Sequence, residues 1–322
     1  MKKRGLTIVV LVIVVGIITV IVVDFLNNRP VRRGANPYAL EVEQFKVVDP
    51  VLISHREIRN LSLGSLKGAA VVYAEGKLFV AGDSSLVIML PDGSAPGQYS
   101  LDPEPTCLLV EESGIFVGYR TYVAQYDREM NLVKRWPDLG ERAVVTNLAG
   151  NGEKVYVADA GNRKVFIYSQ EGELLGSFEG KSESEAGHGF IVPSASFDLV
   201  VNDFGELWVV NPGKHALENY SDDGRMRGFW ESTSFDIEGF LGCCNPARIT
   251  VLDDGSFVTS EKGIVRIKIY DQSGQLLSVV APPSLFKEEG KAPDICCDEI
   301  GVIYALDFDR NVIRIFEPNT DE

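Results

Sequence analysis

The sequence predicts an all-β fold, a six-bladed β-propeller preceded by one apolar N-terminal helix. Three observations carry this: a strand-and-turn unit that recurs six times, the lack of any sustained helical period after Leu61, and one unbroken apolar run near the start. At 322 residues the chain has room for two average domains or one large all-β domain. The repeats decide for the second.

The apolar run, Leu6–Val23, is eighteen residues long and interrupted only by Thr7, Gly16 and Thr19. That is about the minimum length for crossing a bilayer. It predicts a transmembrane anchor over 6–23, with 1–5 as a short cytoplasmic tail, 24–37 as a polar linker and 38–322 as the propeller. No Ala-x-Ala-like pattern accompanies Ile21 to Asp24, so the anchor is expected to stay uncleaved. Lys2, Lys3 and Arg4 precede the run, and Arg29, Arg32 and Arg33 follow it. The first cluster is tighter and carries the α-amino group, whereas Asp24 dilutes the second. This places the N-terminus inside and the propeller on the periplasmic or extracellular side.

The repeat is clearest at Lys154–Gly180, where Val155 to Asp159, Val165 to Tyr168 and Leu174 to Phe178 form strands separated by Ala160-Gly161-Asn162-Arg163 and Glu171-Gly172. The cadence recurs at Leu78 to Ala81 with Leu86 to Leu90, and at Ile115 to Tyr119 with Val123 to Tyr126. Three further copies follow, at Leu207 to Val210 with Leu217 to Tyr220, Phe257 to Ser260 with Val265 to Tyr270, and Ile303 to Asp307 with Val312 to Phe316. Their period of about 40 to 50 residues is that of propeller blades, sheets that must stack on neighbours to bury both faces. The sixth copy ends at Phe316 and Glu317 without an outer strand. Ile53–Leu63 is expected to supply it and close the ring, with Tyr38–Val48 packed nearby.

The Tyr-Val-Ala-Asp strand end, the Gly-Asn-Arg turn and the Val-x-Ile-Tyr strand of the third copy resemble the NHL repeat. So do the prolines Pro105, Pro246 and Pro293 that lead into innermost strands. The resemblance covers about Leu61 to Glu322. Asn36-Pro37-Tyr38 through Val48-Asp49-Pro50, with Cys243-Cys244-Asn245-Pro246, is similar to a group of bacterial membrane-anchored NHL-repeat proteins. That likeness implies a topology and no particular activity. NHL propellers serve as binding platforms, lyases and lactonase-like hydrolases, so the resemblance leaves activity open.

Charge narrows the partners. The chain carries 31 Lys plus Arg against 46 Asp plus Glu, and without the charges flanking the apolar run the domain keeps 25 against 45, a net of −20. Such a surface excludes a phosphate-tracking role and nucleic acid as a partner. The loops between second and third strands converge on one face and carry Tyr119, Arg120, Asp159, Asn162, Asn211, His215, Glu261, Lys262, Asp307 and Asp309. Asp159 and Asn162 read as turn formers. Arg120, Tyr119, Asn211, Glu261, Lys262 and Asp307 are the candidate ligand-binding residues, with Glu261 and Arg120 the least typical of turns.

Of five cysteines, four form the adjacent pairs Cys243-Cys244 and Cys296-Cys297, on neighbouring blades. Strand alternation turns one member of the second pair toward the channel, where the first pair is expected to reach it. Three chemistries stay open: disulfides between blades in an oxidising compartment, a soft-metal site for Cu or Zn, and a buried or redox-active pair. Cys107 reads as a small core residue. Glu261, Asn245 and Asp307 offer oxygens for a divalent cation such as Ca in the channel, as a lactonase-like hydrolase would need. His55, His188 and His215 lie in separate segments without metal-ligand spacing, which weighs against a zinc lyase. No complete catalytic set is visible. The leading reading is a non-enzymatic binding or scaffold propeller for a protein, peptide or envelope component, the alternative a metal-dependent channel enzyme.

Overall fold

A computed structural model describes residues 2–27, 42–180 and 189–319. It divides into two units, Met1–Val42 and Glu43–Glu322. The first holds a helix, Lys2–Asn27. Within it side chains are described continuously only over 11–25, and among the described residues no helix is long and apolar enough to cross a membrane. The helix runs on through residues 24–27 of the expected linker, and residues 28–41 lie outside the described residues.

In the second unit the described residues form six four-stranded antiparallel sheets. The innermost strands are Gly68–Ala74, Pro105–Glu111, Val145–Gly150, Leu199–Val201, Arg248–Val251 and Asp294–Cys297, opening blades 1 to 6 in chain order. Each of the first five blades runs outward as a meander. Blade 6 has only three strands of its own, and His55–Ser62 completes it by pairing with Val312–Pro318. The expected closing strand is therefore the observed one, with Asn319 anchoring it through a bond to the Ser54 carbonyl at 2.7 Å. Upstream, Phe45 meets Phe235 at 5.4 Å between ring centroids.

The apolar middle strands follow from strand geometry. Alternate side chains point to opposite faces, and in a propeller both faces are blade interfaces. In Lys154–Asp159, Val155 and Val157 join Phe116, Trp136 and Tyr168 in the core between blades 2 and 3. Tyr156 and Ala158 turn the other way, to Leu207 and Val209 between blades 3 and 4. Turn glycines serve these cores directly. A Cβ on Gly172 would sit 2.3 Å from the Trp136 ring, and one on Gly274 would sit 2.5 Å from Trp230; both glycines have positive φ. A side chain there would meet both a clash and a backbone penalty.

Candidate functional site

Most of the charged rim expected from sequence turns out to be internal. In blades 3, 4 and 5 the residue at the end of the second strand points into the blade and pins the segment that leads to its own innermost strand. Asp159 accepts from Val144 N at 2.9 Å, Asn211 from Ile191 N at 2.9 Å and Glu261 from Leu241 N at 3.3 Å. These backbone donors would otherwise be orphaned in a buried connector. Tyr119, at the same position in blade 2, is buried and hydrogen-bonds Tyr126 at 2.8 Å. Asn211 also donates to Glu218 at 2.9 Å. Asp307 takes Arg310 at 2.9 Å and lies 3.7 Å from Arg314, which holds Glu57 of the closing strand.

Glu261 is 0 % exposed, with Arg266 and Lys268 each 2.8 Å away and equally buried. Of the six candidate ligand residues, only Arg120 is exposed and Lys262 partly so. The expected oxygen set for a cation does not converge. Glu261 and Asp307 are held by different cations in different blades, and Asn245 spends its amide on Leu241 O and on both backbone groups of Lys262. Among the described residues no three His, Cys, Asp or Glu side chains group as metal ligands do.

The channel itself holds a set that sequence reading missed. The first channel-side residues of blades 2 to 6 are Thr106, Thr146, Asp198, Arg248 and Asp294, around a cavity of about 340 Å³. Arg248 reaches Asp294 at 3.4 Å and the Thr146 carbonyl at 3.4 Å. Each carboxylate also accepts from the next blade, Asp198 from Ile249 N and Asp294 from Val71 N, both at 2.8 Å. Blades 1, 3, 4, 5 and 6 are thus tied at their innermost strands. The signal lay in the repeats, once the starts of innermost strands are aligned rather than the second and third strands.

Burial pushes the Asp198 carboxyl up to about 7, with Arg248 opposing and Asp294 adding to the rise. Its native state holds a proton that the unfolded chain releases from about pH 4 upward, so this contribution is complete at low pH and is lost as pH climbs toward 7. Asp198→Asn is expected to flatten the stability profile across that window. It should leave the variant the more stable by about 1–3 kcal/mol at pH 8, read from urea midpoints at a series of pH values.

The cysteine pairs do not meet. Cys296 packs with Val71, Leu78 and Tyr304 toward blade 1, while Cys297 donates to Val251 O at 3.0 Å toward blade 5. Both residues line the channel cavity, but the strand presents its edge there and the two thiols point to opposite flanking blades. Cys244 precedes the Arg248 end of the blade 5 strand and Cys297 sits at its Val251 end, about 10 Å of strand away. All five cysteines are free thiols. Burial pushes Cys107 and Cys297 up to about 12 and Cys296 well above its ordinary value. Cys107 lies in the core between blades 2 and 3, as expected of a small apolar residue.

The two mouths of the channel differ in charge. Where innermost strands end, their turns carry Glu75, Glu112, Asp203, Asp253, Asp298 and Glu299. Where they begin, a hollow of about 570 Å³ adjoins the channel at Arg248 and is lined by Lys262, Lys291, Cys243, Phe308 and one acid, Glu289. Neither described histidine reaches the channel cavity. His55 bonds the Gly301 carbonyl at 3.2 Å, and His215 bonds Thr233 at 3.0 Å and the Gly242 carbonyl.

No family model and no curated protein matches the sequence. Solved structures match the fold. A streptogramin B lyase aligns with TM-score 0.59 and 11% identity over 85% of this chain and 90% of its own. A catalytically inactive variant of virginiamycin B lyase from Staphylococcus aureus with quinupristin aligns with TM-score 0.56 and 11% identity, over 81% of this chain and 99% of its own. A protein of unknown function from Bacteroides caccae gives TM-score 0.52 and 13% identity, over 72% of this chain and 83% of its own. At these identities the likeness establishes the six-bladed propeller alone.

Proposed function

We propose that the chain is a membrane-tethered propeller of the NHL type, held outside the cytoplasm, which binds an acidic peptide or protein segment at the channel mouth around Arg248, Lys262 and Lys291. The observation that carries the reading is that hollow: three cations face it on a domain whose net charge is −20. A local cationic pocket on an anionic surface selects a ligand whose negative charge is concentrated in one segment, because diffuse charge is repelled by the rest of the domain. Catalysis is less favoured. The buried charges of the channel, Asp198, Arg248 and Asp294, are engaged in ties between blades. The solved lyases share the fold, and the described histidines here stand away from the channel.

Fluorescence anisotropy with acidic and basic peptides of equal length tests the binding reading. Acidic peptides are expected to bind the wild type with an affinity that falls as salt rises, and to weaken about tenfold or more in Lys262→Glu combined with Lys291→Glu. Equal binding of both peptide classes, or no effect of the double variant, would sink it. The tether rests on Leu6–Val23 and the helix Lys2–Asn27. Protease added to intact spheroplasts should degrade the propeller while leaving a membrane-bound fragment.

A further inference from the structure

We infer that Cys243 and Cys244 form a redox-reactive vicinal dithiol at the channel mouth, which closes to an intrachain disulfide by exchange with a disulfide oxidant. Their sulfurs lie 3.1 Å apart, Cys243 exposed and Cys244 buried. Cys243 lines the hollow beside Lys262, whose ammonium holds Ser194 Oγ at 2.8 Å. Burial acts against charge on Cys244, but hydrogen bonds from Cys243 and Ser194 and the Lys262 ammonium outweigh it and lower its pKa. The hydrogen bond to Cys244, with the charge there, raises Cys243. When the pair loses a proton, the anion is therefore favoured on the inner sulfur. Cys107 and Cys296 are buried and Cys297 half-buried, all three with thiols raised by burial, so this pair alone joins an exposed sulfur to a neighbour whose pKa is lowered.

The exchange balances without any further reactant. Cys243 hands its proton to the Cys244 sulfur as it attacks the oxidant, the oxidant's S–S bond breaks, and one thiolate leaves. Cys244 releases that proton to solvent and attacks the Cys243 sulfur, expelling the second thiolate. From the singly deprotonated pair, the two sulfurs lose two electrons and one proton, and the oxidant gains the electrons as two thiolates that take up that proton and one more from solvent.

The test uses the reduced full chain in detergent, treated with glutathione disulfide, quenched with iodoacetamide and digested with trypsin. The tryptic peptide 228–248 contains both cysteines of the pair and no other. It is expected to appear about 2 Da lighter than the unalkylated reduced peptide, with neither an iodoacetamide-derived group nor a glutathione adduct, at least about tenfold faster from the folded chain than from the denatured one. Lys262→Gln should slow closure about three- to tenfold at pH 7 and match the wild type near pH 10, where the thiolate forms unaided. Ser194→Ala should show the same pH pattern with a smaller effect. A persistent glutathione adduct on Cys243, equal rates from folded and denatured chain, or variants that track the wild type at pH 7 would overturn the inference.

Discussion

Glu261→Gln is expected to destabilise the propeller by about 3–5 kcal/mol, because it leaves two buried cations without their anion. Arg266 and Lys268 share the carboxylate at 2.8 Å each, and both are fully buried. Arg266 retains the Gly239 carbonyl at 2.9 Å, and Lys268 retains Gly239 O at 2.7 Å, Ile237 O at 2.9 Å and the faces of Phe240 and Tyr270. Those dipoles do not replace a charge in an interior of low dielectric. Burial holds Lys268 down to about 8 even with Glu261 opposing it. In the wild type the unfolded chain therefore binds more protons between about pH 8 and pH 10, and stability rises with pH across that interval. Without the carboxylate the rise should begin below pH 8. Urea denaturation of both proteins from pH 6 to pH 10 measures it, and an unchanged onset would show that Glu261 does not hold the Lys268 proton.

Trp136→Ala is expected to cost about 3–5 kcal/mol by emptying the core between blades 2 and 3. The ring lies 4.8 Å from Tyr168 and 5.6 Å from Phe116 between centroids, and is 2 % exposed. It rests on Gly172, where no side chain is available to lean into the gap. Trp136→Phe should recover about half of the loss, since it refills part of the volume. Thermal unfolding followed by near-ultraviolet circular dichroism distinguishes this loss of packing from a local change. A variant within about 0.5 kcal/mol of the wild type would show that the neighbouring blade relaxes into the space.

The blades were legible in the sequence because a middle strand buried on both sides must be apolar at every position, and Leu78 to Ala81 or Val155 to Ala158 leave no other choice. The closing strand followed from the need to seal an edge. The purposes of single residues were harder to read. Glu261 looked like a rim group, yet Arg266 and Lys268 are two positions apart on a strand otherwise made of Val, Ile and Tyr, hence on one buried face. Two cations there demand an anion inside, and the hairpin brings Glu261 to them. The tie of Asp198, Arg248 and Asp294 was hidden differently. Its members are about fifty residues apart and meet only because each opens an innermost strand, a coincidence of repeat position rather than of spacing. The separation of the cysteine pairs had the same origin, since an innermost strand offers an edge to the channel and not a face.

Sealing blade 6 with His55–Ser62 also fixes when folding can finish. As the chain emerges, blades 1 to 5 each have all their strands close in sequence and can form in order, but the first strand must wait for Val312–Pro318, about 250 residues later. Until then the nascent domain is an open arc with two unsatisfied ends, and the waiting strand is free to pair with whatever edge is near. The last step closes a loop rather than adding a blade, so its cost is mainly the entropy of bringing distant ends together, a penalty that grows only slowly with length. Folding of this ring is thus expected to be sequential in its blades and cooperative only at its end.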